Sequence, residues 1–138
     1  NLGASTKEEA ISKLTKVLKT NGYIDEASEF EKDVLDRESM TTTGIGNELA
    51  IPHGKSDHVI ETTMMFAKND KGIEWNSLDG SKVKDIFLMA VSKADQGDEH
   101  LRMLAQLSGK LMDDEFVDAI KNAKTSDEVL KILNDAED

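Results

Sequence analysis

Val83-Lys84-Asp85-Ile86-Phe87-Leu88-Met89-Ala90-Val91 decides the fold. From Ile86 onward the run has no polar break. A strand with one solvated face alternates apolar and polar side chains, whereas a strand apolar on both sides must be covered on both. The run therefore predicts a central strand. Val59 to Ala67 reads as a second strand covered on both sides, with Ile60, Met64 and Phe66 on one face and Val59, Thr63 and Met65 on the other. Asn69-Asp70-Lys71-Gly72 and Asp79-Gly80 are turn signals around a short extended Ile73-Glu74-Trp75. Such short links join antiparallel neighbours, so the sheet is expected to be mixed. Only helices on both faces account for strands of this kind. The expected fold is α/β: a three-layer α/β/α sandwich with a mixed β-sheet.

Helical patterns precede and follow the strands. Ser5 or Thr6 caps the first, with Ala10, Ile11, Leu14, Val17 and Leu18 on one face and Asn21-Gly22 as its stop. A second helix is expected from about Asp25 to Glu38, with Ala27, Phe30, Val34 and Leu35 as its apolar stripe. Lys93 to Asp98 reads as a polar loop carrying Gly97. Asp98 is placed to cap a helix with Leu101, Leu104, Leu107 and Leu111 facing inward. Asp113 starts a short helix bearing Phe116, Val117 and Ile120. Thr125-Ser126-Asp127-Glu128 starts the last, through Val129, Leu130, Ile132 and Leu133. There is no repeat or low-complexity linker, and 138 residues suit a single domain over 1–138. Asn1-Leu2-Gly3-Ala4 reads as an internal start.

Composition removes several functions. With no cysteine there is no disulfide, thiolate metal site or cysteine nucleophile, which fits a reducing compartment. The net charge is −11, so a nucleic-acid partner is excluded for want of a basic face, while a basic protein partner would be drawn in. No apolar run approaches a membrane span, so no direct membrane insertion is expected, and no signal-peptide pattern opens the chain.

Small, special-geometry residues crowd together only in Thr41-Thr42-Thr43-Gly44-Ile45-Gly46-Asn47-Glu48-Leu49-Ala50-Ile51-Pro52-His53-Gly54-Lys55. Gly44 and Gly46 permit positive φ and close approach. Leu49-Ala50-Ile51 reads as a buried strand that Pro52 stops. His53 then sits at the strand's end, with Gly54 leaving its imidazole open on one side. A neutral imidazole has a lone pair to offer a phosphoryl group. His100 falls in the first turn of its helix, where free N–H groups and the helix dipole attract an anion and keep a histidine neutral. Arg37, off the apolar stripe in the last turn of the second helix, adds a forked cation suited to phosphate oxygens. In layered α/β folds such ends meet at one rim of the sheet. Two histidines, a cation and a helix start make a receiving site for phosphoryl.

Arg37-Glu38-Ser39, Thr43-Gly44-Ile45-Gly46-Asn47, Ala50-Ile51-Pro52-His53-Gly54-Lys55, the run Ile73 to Gly80 and His100-Leu101 occur in this order. Together they resemble the IIA component of the bacterial phosphoenolpyruvate-dependent sugar phosphotransferase system, fructose–mannitol type. The likeness covers nearly the whole chain, lacking only the family's usual leading strand. It implies a cytoplasmic phosphoryl carrier with no cofactor and an α/β/α sandwich. His53 would accept phosphoryl from the histidine phosphocarrier protein and pass it to a cysteine of a IIB component of a sugar permease. His100 would be the second active-site histidine and Arg37 the motif arginine, with Gly44, Gly46 and Asn47 as phosphate-loop candidates. Glu48 departs from the small residue common there. Two alternatives stand beside this. One is a nitrogen-related regulatory protein that carries the same histidine and controls partners by binding. The other is a metal site built from His53, His58 and His100, to which His58 is badly spaced and no carboxylate motif contributes. Trp75, beside two turns, is expected to be a packing anchor.

Overall fold

The computed structural model describes residues 2–93 and 99–136, without the side chains at 99–101, 103, 104, 108 and 134–136. The chain divides into two compact units, Asn1–Gln96 and Gly97–Asp138.

The first unit holds α1 (Lys7–Thr20), α2 (Ala27–Met40), β1 (Gly44–Gly46), β2 (Leu49–Ala50), β3 (His53–Ser56), β4 (Thr63–Ile73) and β5 (Val83–Ser92). Thr6 caps α1 by accepting the Glu9 N–H, and the Glu9 carboxylate reaches back to the Ser5 N–H. At its other end Gly22 takes φ +82°, the left-handed turn that stops a helix. Ala10, Ile11, Leu14 and Leu18 are buried as the periodicity requires. Val17 is not, being 39% exposed; Thr15 is buried in its stead, its hydroxyl satisfied by the Ser12 carbonyl. In α2 the fully buried positions are Phe30 and Val34, with Glu38 next on the same line.

The sheet is mixed. β2 and β3 run parallel to β5, β4 antiparallel to it, and β1 antiparallel to β2. β3 and β4 both pair with Met89 and Ala90, so they occupy opposite edges of β5; β2 and β4 both pair with Asp85 and Ile86, so they do too. β2 and β3 therefore follow one another along a single edge of β5. β5 is central and buried on both faces, as its sequence predicts. Ile86, Leu88 and Ala90 join one core with Ile11, Leu14, Phe30 and Val34 from α1 and α2, while Phe87, Met89 and Val91 on the opposite face are buried as well.

Two strand expectations are corrected. β4 begins at Thr63 rather than Val59, because residues 58–60 turn away to bond the α1–α2 connection: Asp25 N–H to His58 C=O, Ile60 N–H to Tyr23 C=O, and a bridge between Ile24 and Val59. Ile60 is consequently 62% exposed. The expected turn at Asn69–Gly72 is an irregularity inside β4, where the register against β5 shifts between Lys68 and Ile73. The buried Asn69 side chain supports it by bonding Ala4 and Lys71 backbone.

The second unit holds α3 (Glu99–Leu111), α4 (Asp114–Asn122) and α5 (Ser126–Ala136). Asp113 caps α4, and Phe116, Val117 and Ile120 are buried. Thr125 accepts the Glu128 N–H at the start of α5, where Val129 is buried but Leu130 is 56% exposed, against expectation. Leu107 and Leu111 of α3 are buried; the side chains of Leu101 and Leu104, Gly97 and the expected cap Asp98 lie outside the described residues.

His58 Nδ1 lies 2.8 Å from Asp25 Oδ1, tying the β3–β4 turn to the start of α2. The bond to Asp25 raises the His58 pKa above 6.5. A raised value means that the pair stabilises the fold fully below pH about 6.5 and loses that contribution as pH climbs through the folded-state value. His58→Gln is expected to flatten this alkaline limb in denaturant titrations across pH.

Gly54 is where α2 meets β3. A Cβ there would fall 2.9 Å from Val34 Cγ2 and 3.3 Å from both Phe30 Cε1 and the Val34 backbone nitrogen. Gly54→Ala is expected to lower stability by about 1–3 kcal/mol through overpacking, read from the urea midpoint.

Candidate functional site

Pro52 does not end the strand; it interrupts one. Its missing N–H breaks the run after Ala50, yet its carbonyl accepts the Met89 N–H at 3.0 Å and holds the chain against β5. The ladder resumes at once with His53 opposite Met89 and Gly54 opposite Ala90. His53 therefore begins β3 rather than ending the preceding strand, a correction whose cause is the retained Pro52 acceptor. Gly54 is buried, and its use is the close approach of α2 rather than an open side for the imidazole.

His53 is half-buried, and its Nδ1 lies 3.1 Å from the Ile51 carbonyl oxygen. A carbonyl only accepts, so this bond assigns the proton to Nδ1 and leaves the lone pair on Nε2. The ring is fixed by its own chain two residues back.

Arg37 lies in the last turn of α2, half-buried, one turn beyond the Val34 that packs on Gly54. Its Nη1 donates to the Thr41 carbonyl at 3.0 Å. Among the described residues no carboxylate pairs with it. His100 is the second residue of α3; its side chain lies outside the described residues. His53 and Arg37 belong to the first unit and His100 to the second.

The glycine-rich stretch forms a hairpin of β1 and β2. Gly46, Asn47 and Glu48 take φ of +105°, +55° and +65° in succession, the left-handed geometry a tight antiparallel turn demands. Gly44 serves close approach instead: a Cβ there would sit 2.5 Å from Ser77 Oγ and 3.0 Å from Ser77 Cα. The loop's amides are held by protein oxygens. Gly44 N–H donates to Thr42 Oγ1, Asn47 N–H to Asp79 Oδ2 and Glu48 N–H to Ser81 Oγ. Glu48 Oε2 stands 3.8 Å from Lys84 Nζ.

Two carboxylates organise this region, and neither stands out in sequence as functional. Glu38, 5% exposed, accepts the Thr43 N–H at 2.7 Å and the Thr43 hydroxyl at 2.5 Å. The same hydroxyl accepts Trp75 Nε1–H at 3.2 Å, and the Trp75 carbonyl accepts the Thr42 hydroxyl. The available signal was a charged residue continuing the four-residue spacing of Phe30 and Val34. Trp75 is fully buried, as a packing anchor should be. Asp79 closes the hairpin from outside: Oδ2 takes the Asn47 N–H and Oδ1 the Ser81 N–H, an Asx turn. Its pKa is lowered to about 2, chiefly by the bond from the Ser81 hydroxyl, then by the Ser81 and Asn47 backbone N–H groups.

No group of three or more histidine, aspartate or glutamate side chains among the described residues could hold a metal ion. Among the described residues no helix is long and apolar enough to cross a membrane.

Compared with known proteins, residues 1–136 match the family model for the phosphoenolpyruvate-dependent sugar phosphotransferase system, EIIA 2. The chain belongs to this EIIA family. It is 35% identical over 98% of its length to the 2-O-alpha-mannosyl-D-glycerate-specific EIIABC component of Escherichia coli, of which it covers 21%. The chain thus spans about a fifth of that relative's length. Other relatives are named as fructose- or mannitol-specific components. Among solved structures, a complex of enzyme IIAMTL and phosphorylated enzyme IIBMTL from Escherichia coli matches with TM-score 0.79 at 27% identity, covering 96% of this chain and 90% of that one. The nitrogen regulatory protein IIA-Ntr of Neisseria meningitidis matches with TM-score 0.86 over 95% of this chain and 88% of that one; at 24% identity it shows the fold alone. The mixed α/β fold expected from sequence is the fold of these EIIA structures, and phosphotransfer is the general chemistry of the family.

The lowered Asp79 pKa sets a pH window. A depressed carboxylate stabilises the fold above its unfolded value, near 3.8, and loses that contribution as pH falls towards about 2. The Asn47 amide is expected to lose protection from hydrogen exchange between pH about 4 and 2, and Asp79→Asn to remove the pH dependence.

Proposed function

We propose that this chain is a cytoplasmic phosphoryl carrier of a sugar phosphotransferase system, with His53 as the residue that carries the group. The observation that supports this most is the Nδ1 bond to the Ile51 carbonyl, which leaves Nε2 as the nucleophilic nitrogen. The donor is the histidine phosphocarrier protein. The Nε2 lone pair forms a bond to phosphorus, the donor's P–N bond breaks, and its electron pair returns to the donor ring. In the second step a cysteine thiolate of a IIB component attacks the same phosphorus, and the P–N pair returns to Nε2. The sugar is of the fructose or mannitol class, which is supported by the names of several relatives as fructose- or mannitol-specific components. Residues 1–138 act as one EIIA unit.

Transfer of this kind needs positioning and charge stabilisation more than covalent help. A phosphoryl group brings about two negative charges to a chain of net charge −11. Arg37, half-buried in the last turn of the helix that packs on β3, supplies the local positive charge. His100 is assigned to orienting the group and donating a hydrogen bond rather than attacking. Gly44, Gly46 and Asn47 are the phosphate-loop candidates, Gly46 and Asn47 in the turn between β1 and β2 and Gly44 at the close approach of Ser77.

The test is the pair of rates from phosphorylated carrier to this chain and from this chain to a IIB domain. His53→Ala is expected to take up no acid-labile phosphate; uptake at the normal rate sinks the assignment. Arg37→Ala is expected to slow both steps by roughly ten- to hundredfold, the loss of a charge-assisted bond, with Arg37→Lys recovering part. His100→Ala is expected to accept phosphoryl but pass it on poorly.

A further inference from the structure

The geometry points to Glu38 as a positioning residue for His53, acting through Thr43 and Ile51. The inference rests on His53 being the phosphoryl acceptor. The groups form an unbroken line. The buried Glu38 carboxylate accepts both the N–H and the hydroxyl of Thr43. The Thr43 carbonyl accepts the Ile51 N–H at 3.1 Å. The Ile51 carbonyl, in turn, lies 3.1 Å from His53 Nδ1.

Each link has a fixed direction. Trp75 Nε1 is a donor only, so the Thr43 hydroxyl accepts from it and sends its single proton to Glu38. Glu38 must then accept at both of its oxygens, which an amide of the same shape, with a single acceptor oxygen, cannot do. Thr43 is held at N–H, hydroxyl and carbonyl together. Ile51 most needs an external anchor, because it falls in the gap between β2 and β3, outside the β5 ladder. Its N–H bond to Thr43 anchors the Ala50–Ile51 peptide, and so fixes Ile51 just ahead of the Ile51–Pro52 peptide whose carbonyl receives the ring. If that carbonyl turns away, nothing retains the proton on Nδ1. The tautomer bearing its proton on Nε2 then gains population, and Nε2 is no longer a nucleophile.

The test needs no phosphoryl donor. Long-range proton–nitrogen NMR on the labelled full chain, at a pH where imidazole is neutral, reads the His53 tautomer ratio, with His53→Ala giving the assignment. Wild type is expected to be mainly the Nδ1–H form. Glu38→Gln and Thr43→Val are expected to raise the Nε2–H fraction about five- to tenfold, the scale of one lost buried hydrogen bond. Thr43→Ser, which keeps hydroxyl and N–H, is expected to match wild type. Thermal unfolding and the single Trp75 indole resonance report whether the fold is intact. An unchanged ratio in a folded Glu38→Gln or Thr43→Val protein overturns the inference, as does a wild type mainly in the Nε2–H form. Unfolding of both variants also overturns it, since Glu38 would then serve the fold rather than the ring. Failure of wild type to take phosphoryl from the phosphorylated carrier counts against the acceptor assignment alone and leaves the tautomer ratios as they are.

Discussion

The parallel pairing of one continuous segment with β5 is the constraint on which the rest depends. Leu49 to Ser56 keeps one register along β5, through the Pro52 interruption, because a carbonyl substitutes for a ladder that has lost an N–H. A slip of one residue would turn every side chain to the other face. Gly54 would then no longer face α2, and no other residue fits the 2.9 Å approach of Val34. The position of His53 is therefore set twice, by its backbone in the sheet and by its ring against Ile51.

Burying Glu38 beside that segment needs compensation. An ionised group taken out of water without partners is strongly unfavourable. Here two donors from one residue, Thr43, meet it, and Trp75 completes the hydroxyl's valence. Ser77 shows the contrast: its buried Oγ has no hydrogen-bond partner among the described residues, pressed against Gly44 where no side chain can come. The end of α2, the start of β1 and the segment after β4 are thereby joined through polar contacts.

The legible part of the sequence was the part governed by periodicity. β5 and, Val17 apart, the apolar stripes of α1, α2 and α4 follow from side-chain spacing alone. The parts misjudged depend on partners distant in sequence. Val59 and Ile60 look like strand because β-branched residues favour it, but the α1–α2 connection claims their backbone. Pro52 looks like a stop because its own N–H is missing, and nothing local reveals that Met89 will use its carbonyl. Within the site, Pro52-His53-Gly54 announced His53, and its place near the glycine-rich stretch suggested Arg37. Glu38 and Asp79 were hidden because their meaning lies in bonds to residues 43, 47 and 81.

Arg37 and Glu38 adjoin in the chain but cannot serve one another. Successive helical residues point in different directions, so side chains at i and i+1 do not face each other. Glu38 is buried and accepts at both oxygens from Thr43; Arg37 remains half-buried at the helix end, where the neutral Thr41 carbonyl is its hydrogen-bond partner among the described residues. Had the carboxylate satisfied the guanidinium, the cation would be neutralised before any anion arrived. Had it been left unsatisfied nearby, its charge would oppose a phosphoryl group. Sending the carboxylate inward removes both effects at once. In a chain of net charge −11, that separation of two neighbouring residues leaves a forked cation without a carboxylate partner among the described residues, as the role proposed for Arg37 requires.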